Sequence, residues 1–156
     1  MKVDLEKIEF KNATLADLPE IVFLLADDEL GKTRESPSKT VEPSYVQAFE
    51  EIAKDPNNEI IVGKLAGKII AVMQITYIAN LTFRGSRRAL IEGVRVSTPL
   101  RANGIGRRLF EIAFAKARAK GCKIAQLTSN KTRKGAFRFY EVLGLKATHE
   151  GFKYDL

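Results

Sequence analysis

The chain has 156 residues, a length typical of one domain, and no shift in composition divides it, so we expect a single domain over residues 1–156. Its composition, with 45% hydrophobic and 29% charged residues, is that of a soluble globular protein. The single cysteine, Cys122, excludes an intramolecular disulfide and indicates a reducing compartment. One cysteine and one histidine cannot form a thiolate–imidazole zinc site, so no metal is expected.

The excess of basic residues, 26 Lys and Arg against 19 Asp and Glu, gives a formal net charge of +7. This charge favours an anionic partner, which is a nucleic acid, a phosphorylated cofactor or an acidic surface. No apolar run approaches the roughly 20 residues that cross a bilayer. The segment Met1 to Lys11 alternates charged and apolar residues, unlike a signal peptide. We therefore predict a cytoplasmic protein without a membrane partner.

The first third of the chain predicts a strand, two helices and a loop between the helices. Thr14 and Asp17 resemble an acidic variant of the capping box, and apolar residues follow them at helical spacing. A polar segment with two prolines reads as a loop. In chain order, the predicted elements are a strand Ile8 to Lys11, a helix Thr14 to Asp28, the loop Gly31 to Pro43 and a helix Ser44 to Lys54.

The rest of the chain alternates strands and helices. Ala66 and Gly67 form a short turn between two strands, which indicates an antiparallel hairpin. The predicted elements are strands Glu59 to Leu65 and Lys68 to Tyr77, a basic loop Arg84 to Arg88, a strand Leu90 to Val96, a helix Leu100 to Lys120, a strand Lys123 to Thr128, a helix Gly135 to Leu143, and closing strands Leu145 to His149 and Phe152 to Asp155. This order implies a mixed sheet with helices on its faces, an α/β or α+β architecture.

The most informative segment places a strand, a turn and then a helix whose first turn contains Gly104 and Gly106. Backbone N–H groups at a helix start have no partner within the helix and lie at the positive end of its dipole. Glycines let a phosphate approach these groups closely, so the segment predicts an anion site. Arg101, Arg107 and Arg108 would add charged hydrogen bonds.

Two common nucleotide motifs are excluded at this turn. A Walker loop requires Lys and then Ser or Thr after its last glycine, but Arg107 and Arg108 follow Gly106. A dinucleotide fingerprint requires a third Gly or Ala where Leu109 stands. It also requires an acidic residue about 20 residues further on, which this sequence lacks.

The remaining pattern, Arg101-x-x-Gly104-x-Gly106, resembles the GNAT acetyltransferases. A second element, Asn130 followed by Ala136-x-x-Phe139-Tyr140-x-x-x-Gly144-Leu145, is similar to another signature of that family, with Leu145 replacing its usual phenylalanine. The resemblance covers about Leu90 to Leu145. It implies a mostly antiparallel sheet of about seven strands, helices on both faces and a splay between strands 4 and 5. It also implies transfer of an acetyl group from acetyl-CoA to a primary amine of a small molecule, peptide or protein, directly in a ternary complex.

The resemblance assigns donor-binding roles to residues of both motifs. Backbone groups of Val94 and Val96 would bond the pantetheine amides, and an N–H near Val94 or Arg95 would polarise the thioester carbonyl. Asn130 and Arg133 would reach the cofactor; the alternative for Asn130 is a turn cap, and the alternative for Arg133 is a solvated basic residue. The full donor-binding set is Val94, Arg95, Val96, Arg101, Ala102, Asn103, Gly104, Ile105, Gly106, Arg107, Asn130, Arg133, Ala136 and Phe139.

Two residues are candidates for catalysis. Tyr140 matches the family's proton donor to the CoA sulfur; the alternative is an aromatic core residue. Glu92 lies two residues before Val94, so we expect the two to share a face of the strand, where some relatives carry the base for the amine. The alternative for Glu92 is a solvated or salt-bridged glutamate, paired with Arg87 or Arg88.

The acceptor and the class of protein keep alternatives. Acidic residues from Asp27 to Glu29 would attract a cationic amine, whereas basic residues from Arg84 to Arg88 would favour an acidic or phosphorylated one. A basic nucleic-acid-binding module explains the charge but leaves both motifs unexplained, and its recognised signatures are missing from the sequence. A non-catalytic acetyl-CoA-binding relative is the third reading. Dimers are common in such families, so a homodimer is an expectation.

Overall fold

A computed structural model describes residues 3–156, without the side chain of Lys134. Met1 and Lys2, which begin the segment compared above with a signal peptide, lie outside these residues. The strands are β1 (Ile8–Asn12), β2 (Asn58–Leu65), β3 (Lys68–Ile78), β4 (Arg87–Val96) and β5 (Cys122–Gln126). The helices are α1 (Leu18–Leu25), α2 (Pro43–Lys54), the short turn α3 (Thr82–Gly85), α4 (Ile105–Ala119) and α5 (Lys134–Val142).

The five strands form one mixed sheet in the order β1-β2-β3-β4-β5. The first three pairings are antiparallel and the last, between β4 and β5, is parallel. The predicted hairpin is present: Ala66 and Gly67 join β2 to β3 with φ of 49° and 80°, as a tight two-residue hairpin turn requires. The mixed α/β architecture expected from the sequence is therefore confirmed.

Helices cover both faces of the sheet because β3 is apolar on both sides. On one face, Ile105, Leu109 and Phe110 of α4 are buried against alternate residues of β3 and β4. On the other face, α1 buries Ile21 and Leu24 against β2 and β3. This packing places the ends of α1 and α4 on opposite sides of β4.

The predicted capping box at the start of the first helix is confirmed. The Thr14 N–H donates to Asp17 Oδ2 over 2.9 Å, and Asp17 Oδ1 accepts from Lys64 Nζ over 2.5 Å. The buried Asp17 carboxylate thereby ties this helix start to β2. A 3₁₀ turn (Leu15–Asp17) precedes α1, so the regular helix is shorter at both ends than predicted.

The prediction of about seven strands is wrong, since no strand follows β5 in residues 3–156. The segments Leu145 to His149 and Phe152 to Asp155 alternate in polarity, but no neighbouring strand exchanges backbone hydrogen bonds with them. Phe152 is 93% exposed, so its side chain has no apolar layer to join. Alternation alone does not form a strand when the partner is missing.

Two boundaries around the glycine turn also differ from the predictions. The helix expected from Leu100 begins at Ile105, because Ala102 and Gly104 have φ of 63° and 82°, outside the right-handed helical region. Arg87 and Arg88 belong to β4, where they pair with Cys122 and Ile124, and not to a basic loop. The start of the parallel ladder therefore includes these arginines.

A glycine at the end of α1 generates a stability prediction. A Cβ on the buried Gly31 would lie 2.2 Å from the Leu25 carbonyl oxygen, which belongs to the backbone and cannot rotate away. Gly31→Ala is expected to lower the free energy of unfolding by about 1–3 kcal/mol, measured by chemical denaturation. Gly135→Ala is the control: its Cβ would meet nothing within 4 Å in α5. The control is expected to be neutral or to stabilise by up to about 1 kcal/mol. Equal effects of the two substitutions would contradict the steric argument.

Candidate active site

The parallel strands β4 and β5 separate halfway along β4. Their pairing begins at Arg87 and Cys122 and ends at Leu90 and Gln126, whereas β4 continues to Val96. Beyond Leu90, no strand within residues 3–156 pairs with the edge of β4 that faced β5. The carbonyl groups of Val94 and Val96 accept hydrogen bonds from arginine side chains instead, over 2.8 and 3.1 Å. These carbonyls are therefore available to a ligand that lies along this edge.

A β-bulge interrupts β4 within the open segment. Gln74 of β3 pairs with Glu92 and Val72 pairs with Arg95, so a single residue of β3 opposes Gly93 and Val94. Gly93 has φ of 60°, as bulges of this kind require. Glu92 and Arg95 consequently lie on the face that α1 covers, while Val94 packs in the cluster with α4. The prediction that Glu92 and Val94 share a face is wrong, because strict alternation requires a regular strand.

The glycine turn after β4 presents free backbone amides. The N–H groups of residues 102–107 donate to no acceptor in the described part of the chain, and the hydrogen bonds of α4 begin at the Arg108 N–H. The Asn103 side chain accepts from Val3 and donates to the carbonyls of Leu100 and Arg101, which holds the turn in shape. The left-handed conformation of Ala102, uncommon for a residue with a Cβ, is the kind of strain that often accompanies a binding site. This arrangement suits an oxyanion.

A single contact joins the two motifs that are similar to the GNAT pattern. A Cβ on Gly106 would lie 3.0 Å from Cζ of Phe139, so the absence of a side chain at Gly106 lets the Phe139 ring lie against the first turn of α4. Phe139, Phe110 and Tyr140 form an aromatic cluster with ring centroids 5.5–5.9 Å apart. The cluster positions Tyr140 of α5 relative to the glycine turn.

Tyr140 lies beside two positive charges. Burial raises the pKa of its phenol above the ordinary value, while the charges of Arg133 and Arg95 act to lower it. A raised pKa means that the hydroxyl stays protonated through the neutral range. Tyr140 is therefore both part of the aromatic core and a protonated group next to the gap between β4 and β5.

The Asp28 carboxylate binds both of these arginines. Its Oδ2 lies 2.7 Å from Arg133 Nη2 and 3.2 Å from Arg95 Nε, and its Oδ1 accepts from the Gly31 N–H over 2.6 Å. Although burial acts to raise it, the Gly31 hydrogen bond and the two arginines hold the pKa of Asp28 below its ordinary value. The ion pairs join the end of α1, β4 and the start of α5 across the gap.

The family sequence model described as Acetyltransferase (GNAT) family matches residues 24–145. The chain belongs to the GNAT acetyltransferase family. No curated protein matches it. A solved structure of a transcriptional regulator from Bacillus halodurans C-125 is 46% identical over 96% of this chain and 99% of that one, with a TM-score of 0.93.

Two more distant structures share the fold. An acetyltransferase from Trypanosoma brucei is 22% identical over 96% of this chain and 99% of that chain, with a TM-score of 0.76. AAC(6')-Iy, solved in complex with the bisubstrate analogue CoA-S-monomethyl-acetylneamine, is 14% identical over 96% and 97%, with a TM-score of 0.77. In this chain, the splay predicted between strands 4 and 5 corresponds to the end of the β4–β5 pairing at Leu90 and Gln126.

The GNAT domain positions the other predicted site residues at or near its surface. Glu92 is exposed and forms no ion pair in residues 3–156, so the predicted alternative of a salt bridge to Arg87 or Arg88 is not observed. Asn130 accepts from the N–H and hydroxyl of Thr132, as a turn cap does, and Ala136 is half-buried in α5. Asp27 accepts from the Thr98 N–H.

Sequence reasoning missed the side-chain role of Arg95. Its backbone was expected to matter, but its side chain is only 11% exposed and is paired with Asp28. No signal in the sequence connects these residues, because the bulge at Gly93 decides to which face Arg95 points. Cys122 is buried, and burial raises the pKa of its thiol, which is consistent with a packing role.

Within residues 3–156, none of the helices combines the length and the apolar character that a membrane span requires. No group of three or more His, Cys, Asp or Glu side chains between residues 3 and 156 is arranged to hold a metal ion.

The charges around Tyr140 generate a prediction about its titration. Arg133→Gln removes a positive charge that lowers the pKa of Tyr140, so the pKa of this phenol is expected to rise further. NMR of tyrosine labelled with ¹³C at Cζ, followed through the alkaline range, measures the change. Lys131→Gln removes the same charge from an exposed residue of the same loop and is expected to leave the titration of Tyr140 unchanged. A pKa that stays constant or falls in Arg133→Gln would show that this charge does not act on the phenol.

Proposed function

We propose that this GNAT protein transfers the acetyl group of acetyl-CoA to a primary amine of a small molecule, peptide or protein, in a ternary complex. The observation that carries the proposal is the open edge of β4 beyond Leu90, which runs from the gap beside Tyr140 to the free amides of residues 102–107. A single extended ligand with a diphosphate at one end and a thioester at the other would lie along this edge. The family match supports this assignment.

The donor would be held mainly by backbone groups. The amides of residues 102–107 bind the pyrophosphate, and the exposed Arg101 and Arg107 add charged hydrogen bonds. Val94 and Val96 bond the pantetheine in place of the arginine side chains that now bond their carbonyls. The other wall of the gap would consist of Asn130, Arg133, Ala136 and Phe139.

The transfer itself needs three groups from the protein. The neutral amine attacks the thioester carbonyl carbon, and a backbone N–H near Val94 or Arg95 stabilises the oxyanion that forms; such a donor contributes about 2.7–4 kcal/mol in other enzymes. The carbon–sulfur bond then breaks, and the Tyr140 hydroxyl protonates the leaving sulfur. Glu92 accepts the proton of the amine, directly or through water. The products are the acetylated amine and free CoA.

Two glycines at opposite ends of α4 test the pyrophosphate site. Gly104 and Gly121 have φ of 82° and 75°, so alanine imposes similar backbone strain at either position. Strain from Gly104→Ala is expected to move an amide of the turn away from the diphosphate. A hydrogen bond to a charged group contributes about 1.5–3 kcal/mol, so CoA binding is expected to weaken by about 10-fold or more. Gly121→Ala is expected to bind CoA normally. Calorimetric titration with CoA measures both affinities, and equal affinities would remove the turn from the donor site.

Tyr140→Phe tests the proton donor. The variant keeps the aromatic cluster and loses only the hydroxyl, so it is expected to fold normally and to lower turnover by roughly 10²–10⁴. Release of the CoA thiol during acetyl transfer measures the rate. Tyr154→Phe removes the same hydroxyl from an exposed tyrosine near the C-terminus and should retain full turnover. Wild-type rates in Tyr140→Phe would exclude its role in the reaction.

A nucleic-acid-binding function is the second candidate, because the 46% identical relative is named a transcriptional regulator and this chain carries a net charge of +7. Thermal stabilisation separates the candidates, since a ligand that binds the native state raises its melting temperature. CoA and acetyl-CoA should stabilise an enzyme or a non-catalytic acetyl-CoA-binding protein, whereas oligonucleotides alone should stabilise a nucleic-acid binder. Thiol release over a panel of amines then separates the enzyme from the non-catalytic protein. The cytoplasmic location and the homodimer stay predictions.

A further inference from the structure

The cluster formed by Asp28, Arg95 and Arg133 has an imbalance of charge. One carboxylate faces two guanidinium groups, and all three side chains are largely buried, with exposed fractions of 15%, 11% and 27%. Arg95 Nε is buried without a hydrogen-bond acceptor in the described residues, although it lies 3.2 Å from Asp28. Arg34 adds another positive charge that acts on Arg95. A buried site with surplus positive charge is costly to the protein unless an anion also binds there.

The cluster lies where an acceptor would meet the donor. The bulge places both Arg95 and Glu92 on the α1 face of β4. Their partners in β3, Val72 and Gln74, are two residues apart. This spacing corresponds to about 7 Å along a strand. The positive charges of both arginines also act to lower the pKa of the Tyr140 phenol. An amine held between Glu92 and Tyr140 would therefore have Arg95 and Arg133 within the reach of a short substituent.

The acidic residues that suggested a cationic acceptor are engaged elsewhere. Asp27 accepts from the Thr98 N–H, Asp28 is paired with the two arginines, and Glu29 is exposed and paired with Lys32. The end of α1 therefore offers an acceptor little free negative charge. The charges that act on Tyr140 are those of the two guanidinium groups, whose planar N–H groups fit carboxylate and phosphate oxygens.

We propose that the acceptor is a primary amine that also carries a carboxylate or phosphate group, and that Arg95 and Arg133 bind this group beside the Asp28 carboxylate. The inference rests on the acetyl transfer proposed above and specifies its acceptor class. The bound oxyanion compensates the second guanidinium charge, while Asp28 continues to pair with the first.

The rival explanation is that these arginines bind the phosphates of CoA. The glycine turn already has Arg101 and Arg107 beside its free amides. Arg95 lies on the opposite face of β4 from Val94, which packs towards α4. Because Arg95 Nη1 also donates to the Val94 carbonyl, which borders the donor, the experiment includes both ligands.

Matched pairs of amines test the proposal with the full-length protein. One pair is phosphoethanolamine and ethanolamine, and the other is 4-aminobutyrate and its amide, so each pair differs mainly in the anionic group. Thiol release with acetyl-CoA gives kcat/KM for each amine, and calorimetric titration into the CoA complex gives binding without turnover. We expect at least a 10-fold preference for the anionic member of at least one pair, either in kcat/KM or in affinity.

Variants assign the preference to the cluster. Arg133→Gln is expected to abolish the preference through KM and to weaken binding of the anionic amine more than it weakens binding of CoA. Lys131→Gln, the same loss of charge on an exposed residue of the same loop, is expected to keep the preference. A merely structural role of Arg133 would reduce the use of anionic and neutral amines equally and is an overturning result.

Each of the remaining outcomes either supports or overturns the proposed acceptor class. Neutral amines bound or used as well as their anionic partners, in both pairs, would overturn the proposal. A loss of CoA affinity in Arg133→Gln as large as the loss for the anionic amine would assign the arginines to the donor instead. Binding of an anionic amine that depends on Arg133 but leads to no acetyl transfer would uphold the inference and refute the proposed enzymatic function. The two failures are therefore distinguishable.

Discussion

The end of the parallel ladder at Leu90 and Gln126 is the constraint on which the rest of the site depends. Backbone N–H and C=O groups on a strand edge must bond to another strand, to side chains, to water or to a ligand. Here the carbonyls of Val94 and Val96 bond to the side chains of Arg95 and Arg101. Side-chain partners of this kind can be exchanged for a ligand at low cost, whereas a paired strand would have closed the edge permanently. The open edge is therefore a built-in place for an extended molecule.

The contact between Gly106 and Phe139 turns two separate sequence motifs into one structural unit. The glycine is needed for two reasons: it leaves the first turn of α4 accessible, and it leaves room for an aromatic ring from α5. The ring then packs with Phe110 and Tyr140, so the position of the phenol is set by the same core that holds α4 on the sheet. A change at the glycine turn is thereby transmitted to Tyr140 by packing, over a short distance and through rigid groups.

Charge in the gap is distributed differently from what the sequence suggests. Three consecutive acidic residues follow α1, yet the structure uses Asp27 to hold the turn after β4 and Asp28 to pair two arginines. A buried carboxylate between two guanidinium groups is costly to remove, because its loss leaves two uncompensated charges. The cluster therefore does two things at once: it joins three elements across the gap, and it leaves positive charge next to Tyr140.

The sequence by itself determined the features that depend on neighbouring residues: the capping box of Thr14 and Asp17, the hairpin turn at Ala66 and Gly67, the class of fold and, through the two motifs, the family. These could be predicted because propensity, periodicity and turn chemistry act over a few positions. Only the tertiary structure decided the number of strands, the bulge at Gly93 and the ion pairs of Asp28. A strand exists only where a partner supplies hydrogen bonds, and a one-residue bulge redirects every side chain after it. Which face Arg95 occupies thus depends on pairing between distant segments, and local sequence carries no record of that pairing.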